Sequence, residues 1–121
     1  VPEDSSIVVQ TAQGLVVVSG CGHAGIINTL EYAQKTVQAT GVHAAIGGFH
    51  LFAASDETLA WTASKLKEAR VAYFLGAHCT GIEAVFRIRQ ALGLARKAAV
   101  VGAVGSSFTL GAGIDPKALA Q

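Results

Sequence analysis

The stretch Val16-Val17-Val18-Ser19-Gly20-Cys21-Gly22-His23-Ala24-Gly25-Ile26 decides the fold. It opens inside an unbroken apolar run, Leu15 to Val18, as expected for a strand covered on both faces. Past the glycines the hydrophobic period changes. Ile26, Leu30, Ala33 and Val37 fall on one face of a helix, which stops near Gly41. Strand, short turn carrying cysteine and histidine, then helix: this is the unit of an α/β fold.

Two more such units follow. Val42 to Ile46 reads as a strand ending at Gly47-Gly48-Phe49-His50. Ser55 is then the expected N-cap of a helix with Asp56 and Glu57 in its first turn and Lys65, Lys67 and Arg70 in its last, charges that complement the helix dipole. Leu59, Ala63 and Leu66 supply its buried stripe. Val71 to Leu75 is the third strand, followed by Gly76-Ala77-His78-Cys79. Thr80 and Glu83 have capping-box spacing, opening a helix that turns Val85, Ile88 and Leu92 inward and ends at Gly93. Upstream, Ile7-Val8-Val9 pairs with the first run across Gly14 as a hairpin. Downstream, Ala98 to Val101 and Ser106 to Leu110 are short closing strands, and Asp115-Pro116 has the form of a helix start. The predicted order is β-β-α-β-α-β-α-β-β, in one domain over residues 1–121.

Composition narrows the function classes. Half of the 121 residues (51%) are hydrophobic and 14% are charged, which implies apolar surface covered by a partner or by further chain. The net charge of +1, without a basic cluster, argues against nucleic acid as a partner. No apolar run is long enough to span a bilayer and no signal segment opens the chain, so no membrane role and a cytoplasmic location are expected. Two cysteines are too few for a disulfide framework.

Three of the four histidines carry the chemistry. His23, His50 and His78 each follow the end of a predicted strand, 27 and 28 residues apart, where open α/β sheets bind ligands. Imidazole is the commonest metal ligand and suits zinc or iron. The bland reading is that these rings pin loops by bonding to backbone. His43 lies at the start of its strand, away from the others, and is assigned a structural role or none. Cys21 and Cys79 have two readings, metal or reactive thiol and small buried hydrophobe, of which the second is the commoner. The helix start at Thr80 and Gly81 would offer free N–H groups to an anionic substrate group beside His78.

The motif around His23, with Ile46-Gly47-Gly48-Phe49-His50-Leu51 and His78-Cys79-Thr80-Gly81, resembles the C-terminal half of metallo-β-lactamase-fold hydrolases. The subgroup is similar to the dihydropterin–ribofuranosylaminobenzene phosphate synthases. The resemblance runs from about Ser6 to Leu110. It implies half of an αββα sandwich with a metal site along one edge. His23 and His78 match ligand positions, while His50 stands where many members place a bridging aspartate. The family's His-x-His-x-Asp-His cluster is absent, since no two histidines here are two apart.

Three functional expectations follow. The chain is part of a metal-dependent hydrolase acting on a small molecule, inactive or weak alone, completed by an N-terminal half or pairing as a homodimer. Alternatively His23, His50 and His78 hold a single zinc or other divalent transition metal, one ion at most per chain. In the third reading no metal is bound, and the chain is a non-catalytic interaction or assembly module derived from that fold.

Overall fold

The computed structural model describes residues 4–116. Its hairpin is formed by β1 (Ser6–Thr11) and β2 (Gly14–Ser19), paired antiparallel from Ser6–Ser19 to Thr11–Gly14. Then α1 (Ile26–Val37), β3 (Val42–Gly48), α2 (Asp56–Glu68), β4 (Tyr73–Ala77), α3 (Ile82–Leu92) and β5 (Ala99–Val101) alternate. The five strands make one sheet in chain order, with β2 to β5 all parallel. Because strand follows strand in one direction, right-handed crossovers put all three helices on the same face. One apolar cluster accordingly joins Leu15 and Val17 of β2, Phe74 of β4 and Ala99 of β5 to Leu30, Leu66 and Ile88 of the three helices.

Among the described residues, the opposite face is covered at one end only. A two-stranded hairpin of β6 (Ser107–Thr109) and β7 (Gly113–Asp115) lays Ile114 and Phe108 against Leu75 and Val100. At the other end, register puts Ile7 beside Val18 and Val9 beside Val16. Ile7, Val9 and Val18 remain 66%, 47% and 38% exposed. The apolar β2 run is therefore packed against helices on one side and half open on the other.

Several boundaries differ from the sequence expectation for identifiable reasons. The first helix stops at Val37 because Gln38 turns left-handed and Ala39 N–H closes onto Gln34 O, so it does not reach Gly41. The strand β3 extends two residues further than expected, through Gly47 and Gly48, which pair with Gly76 and Ala77 of β4. In contrast, Val71 belongs to the close of α2: Arg70 is left-handed and Val71 N–H bonds to Leu66 O, so β4 starts at Tyr73. The extra strand β7 was not anticipated. Asp115 ends it and does not cap a helix, and the helix expected after Pro116 lies outside the described residues.

Ser55 caps α2 as anticipated, accepting a hydrogen bond from Thr58 N–H at 3.1 Å. Ser55→Ala should lower unfolding free energy by about 1 kcal/mol, the usual worth of such a cap. An unchanged urea midpoint would remove this role from Ser55. The capping box at Thr80 does not form. Thr80 is fully buried, its hydroxyl donating to Ala77 O at 2.9 Å and accepting from Phe49 N–H at 3.1 Å, and Gly81 takes the cap position without a side-chain bond. Two buried backbone groups at adjacent strand ends outcompete an exposed helix start for that hydroxyl.

Candidate metal centre

The carboxyl ends of β2, β3 and β4 are neighbours in the sheet, and each delivers one of the three expected histidines to the same edge. Glycine sets how closely these ends approach. A Cβ on Gly48 would stand 2.5 Å from Gly20 O, and one on Gly22 would stand 2.8 Å from Phe49 Cα. The loop after β2 therefore lies directly on the end of β3. Asp4 fastens its outer side, accepting from Ala24 N–H at 3.0 Å and Gly22 N–H at 3.3 Å. The Ala24 bond is the largest influence holding the Asp4 carboxyl below its ordinary value, against the opposing effect of burial.

His50 and His78 both have left-handed backbone, φ 48° and 54°. Such a conformation costs a non-glycine residue roughly 1 kcal/mol or more and concentrates at functional sites. It turns the chain sharply where each strand ends. The His23 and His50 rings meet edge to face, centroids 4.7 Å apart. His23 Nδ1 is buried and has no hydrogen-bond partner among the described residues. An orphaned imidazole nitrogen in such a place fits a metal ligand better than a loop-pinning group, which would be bonded to backbone.

The two thiols stand between the histidines. Cys21 Sγ lies 3.1 Å from Cys79 Sγ and 3.9 Å from His50 Nδ1. Cys79 Sγ accepts the His50 N–H at 3.2 Å and its thiol faces Cys21 O at 3.2 Å. The hydrogen bond with Cys79, then burial, push the Cys21 thiol up from its ordinary value. Two sets of donor atoms lie mutually within 4.8 Å, Cys21–His78–Cys79 and Cys21–His23–His50. Among the described residues the three histidines do not make such a set by themselves; Cys21 links His23 and His50 to His78.

The remaining expected residues divide. The Thr80 side chain serves the fold, so only backbone near Gly81, at the start of α3, is left to meet a substrate. His43 sits at the far end of β3, its ring against Tyr73 and Phe108 at 5.3 and 6.1 Å. Sequence reasoning missed Asp4 and Trp61, and of the two readings of the thiols it favoured the small buried hydrophobe. Trp61, half exposed on α2, lines a cavity of about 210 Å³ with His23, His50 and Thr58. The available signal for the thiols was their position, Cys21 two residues before His23 and Cys79 directly after His78.

The fold has known counterparts. A solved structure described as a metal-dependent hydrolase of the β-lactamase superfamily superposes with a TM-score of 0.68 and 34% identity, over 72% of this chain and 34% of that one. The chain has a metallo-β-lactamase-type fold. A Methanocaldococcus jannaschii 7,8-dihydropterin-6-methyl-4-(β-D-ribofuranosyl)-aminobenzene-5'-phosphate synthase is 37% identical over 84 residues, 69% of this chain and 29% of that protein. That is the subgroup the motifs resemble. An uncharacterized protein of the same organism is 36% identical over 75 residues, 62% of this chain and 28% of its own length. No family model matches the chain. The chain thus spans about a third of the length of the proteins it matches. Among the described residues, no helix is long and apolar enough to cross a membrane.

Proposed function

We propose that this chain is one part of a metal-dependent hydrolase, contributing His23 and His78 as ligands to a zinc-type centre whose other ligands come from polypeptide outside it. The observation that carries the reading is the gathering of His23, His50 and His78 at one sheet edge of this fold, with His23 Nδ1 buried and unpartnered. A divalent metal bound there would supply a polarised substrate oxygen and an activated water. This chain's residues would hold the ion and shape the approach to it. The cavity beside Trp61 would receive the body of a small-molecule substrate. N–H groups at the start of α3, beside His78, would suit an anionic group. The name of the related synthase ends in a 5'-phosphate, an anion of that kind.

Without its remaining ligands the chain should be inactive or weak. The open sheet face carrying Ile7, Val9 and Val18 supports a partner layer there, either the rest of the protein or, in its absence, a second copy. The test supplies the missing segment of the relatives in trans with zinc and follows hydrolysis of a generic phosphodiester. Turnover is expected from the mixture and from neither part alone. His23→Ala and His78→Ala should each reduce it on the order of 100-fold or more. A stable complex that takes up no zinc and hydrolyses nothing would sink the hydrolase reading and favour an assembly module.

A further inference from the structure

We infer that Cys21 and Cys79, with His78, form a thiolate-bearing metal centre that this chain builds without help from other polypeptide, selective for zinc-class ions. The inference rests on the reading of this strand edge as a metal site and describes the chain by itself, where the two sulfurs join His78 in place of ligands that other polypeptide would bring. Nothing in the resemblance calls for sulfur here.

The argument begins with distance. Cys21 Sγ, Cys79 Sγ and a ring nitrogen of His78 all lie within 4.8 Å of one another. Zinc binds sulfur at about 2.3 Å and imidazole nitrogen at about 2.0 Å in tetrahedral sites, which separates ligand atoms by roughly 3.5–3.8 Å. The sulfurs, now 3.1 Å apart, need to open by about 0.7 Å to reach the tetrahedral sulfur–sulfur separation. Residues 58 apart in sequence are held this close by backbone, because Gly48 lets the Cys21 loop settle onto β3. The ligands are presented before any ion arrives.

The groups around the sulfurs agree. The His50 N–H points at Cys79 Sγ from 3.2 Å, the kind of bond that stabilises a metal thiolate. Two cysteines beside one histidine form a softer donor set than three imidazoles, and soft sets favour zinc-class ions over magnesium, calcium or manganese. Both thiols are half-buried while His78 is exposed, so an ion can enter from solvent and the sulfurs are shielded once it is seated. Three protein ligands leave one tetrahedral position open, the pattern of catalytic rather than closed structural zinc. His78 has left-handed backbone, and a nitrogen of its ring lies within 4.8 Å of the neighbouring cysteine's sulfur.

The experiment is a cobalt(II) titration of the reduced 121-residue chain, followed by zinc displacement and X-ray absorption on the zinc form. One equivalent should bind with the intense near-ultraviolet absorption of sulfur-to-cobalt charge transfer, and zinc–sulfur scattering should appear at about 2.3 Å. Cys21→Ser should abolish most of that band and weaken zinc binding at least tenfold. Cobalt bound without the band, with affinity unchanged in Cys21→Ser and lost in His23→Ala, would overturn the thiolate centre yet leave the hydrolase reading intact. No binding by the folded, reduced chain would also overturn it, because the centre is claimed for this chain alone. Wild-type scattering gives the answer even if a Cys79→Ser variant does not fold.

Discussion

Replacing Gly47 with alanine is expected to cost about 3–5 kcal/mol of unfolding free energy, a large share of the roughly 5–15 kcal/mol available to a small domain. Two effects add. The residue sits at φ +121°, a region essentially closed to side chains, which alone costs of order 1–3 kcal/mol. Its added Cβ would also collide with the Ser19 carbonyl of the neighbouring strand, and backbone cannot swing aside as a side-chain tip can. Relief would require β2 and β3 to part where the candidate metal centre begins. Gly105→Ala is the control, because Gly105 also has positive φ (+93°) but nothing within 4 Å of its Cβ position. It should cost only about 1 kcal/mol. Urea denaturation of the three proteins decides the matter: equal midpoints for the two variants would show that the close strand contact contributes nothing beyond backbone strain.

That contact also explains what could be read from sequence and what could not. The repeated strand–turn–helix pattern and the strand-end positions of His23, His50 and His78 follow from local periodicity, which survives in the folded chain. Ser55 was legible for the same reason, since a cap and the N–H it serves are three residues apart. Thr80 was not. It has the spacing of a capping box, but the groups that claim its hydroxyl include Phe49, 31 residues away. The thiols present the same problem on a larger scale. Their proximity depends on which glycines of neighbouring strands face each other, a property of register rather than of either motif. β7 was not legible because three residues, the first a glycine and the next after them a proline, carry no measurable alternation, and it is fixed by packing Ile114 onto Leu75 and Val100. Local order was therefore readable, and contacts made by register were not.

The open end of the sheet should make the isolated chain self-associate, and Val18→Lys should reverse this. Val18 faces away from the helices beside Ile7, and both are substantially exposed with no part of the β6–β7 hairpin packed on them. Fully covering a valine or isoleucine is worth roughly 1.5–3 kcal/mol. Scaled by their exposed fractions, Ile7, Val9 and Val18 together offer roughly 2–4 kcal/mol per chain to whatever covers them. A two-fold dimer that packs sheet against sheet would collect that gain twice. One lysine at the centre of such an interface must be desolvated against its own copy, with no acid opposite. Dissociation should then strengthen at least tenfold, about 1.4 kcal/mol, while the fold remains intact because position 18 contributes nothing to the helix-side core. Light scattering across a concentration series measures it directly. A wild-type chain that stays monomeric at every concentration, with Val18→Lys indistinguishable from it, would show that this face needs no cover. The same variant links the two halves of the functional reading: in the trans-complementation mixture it should block assembly and turnover together, yet leave cobalt binding at Cys21, Cys79 and His78 unchanged. If Val18→Lys instead abolished cobalt binding, the centre would depend on assembly and could not belong to this chain alone.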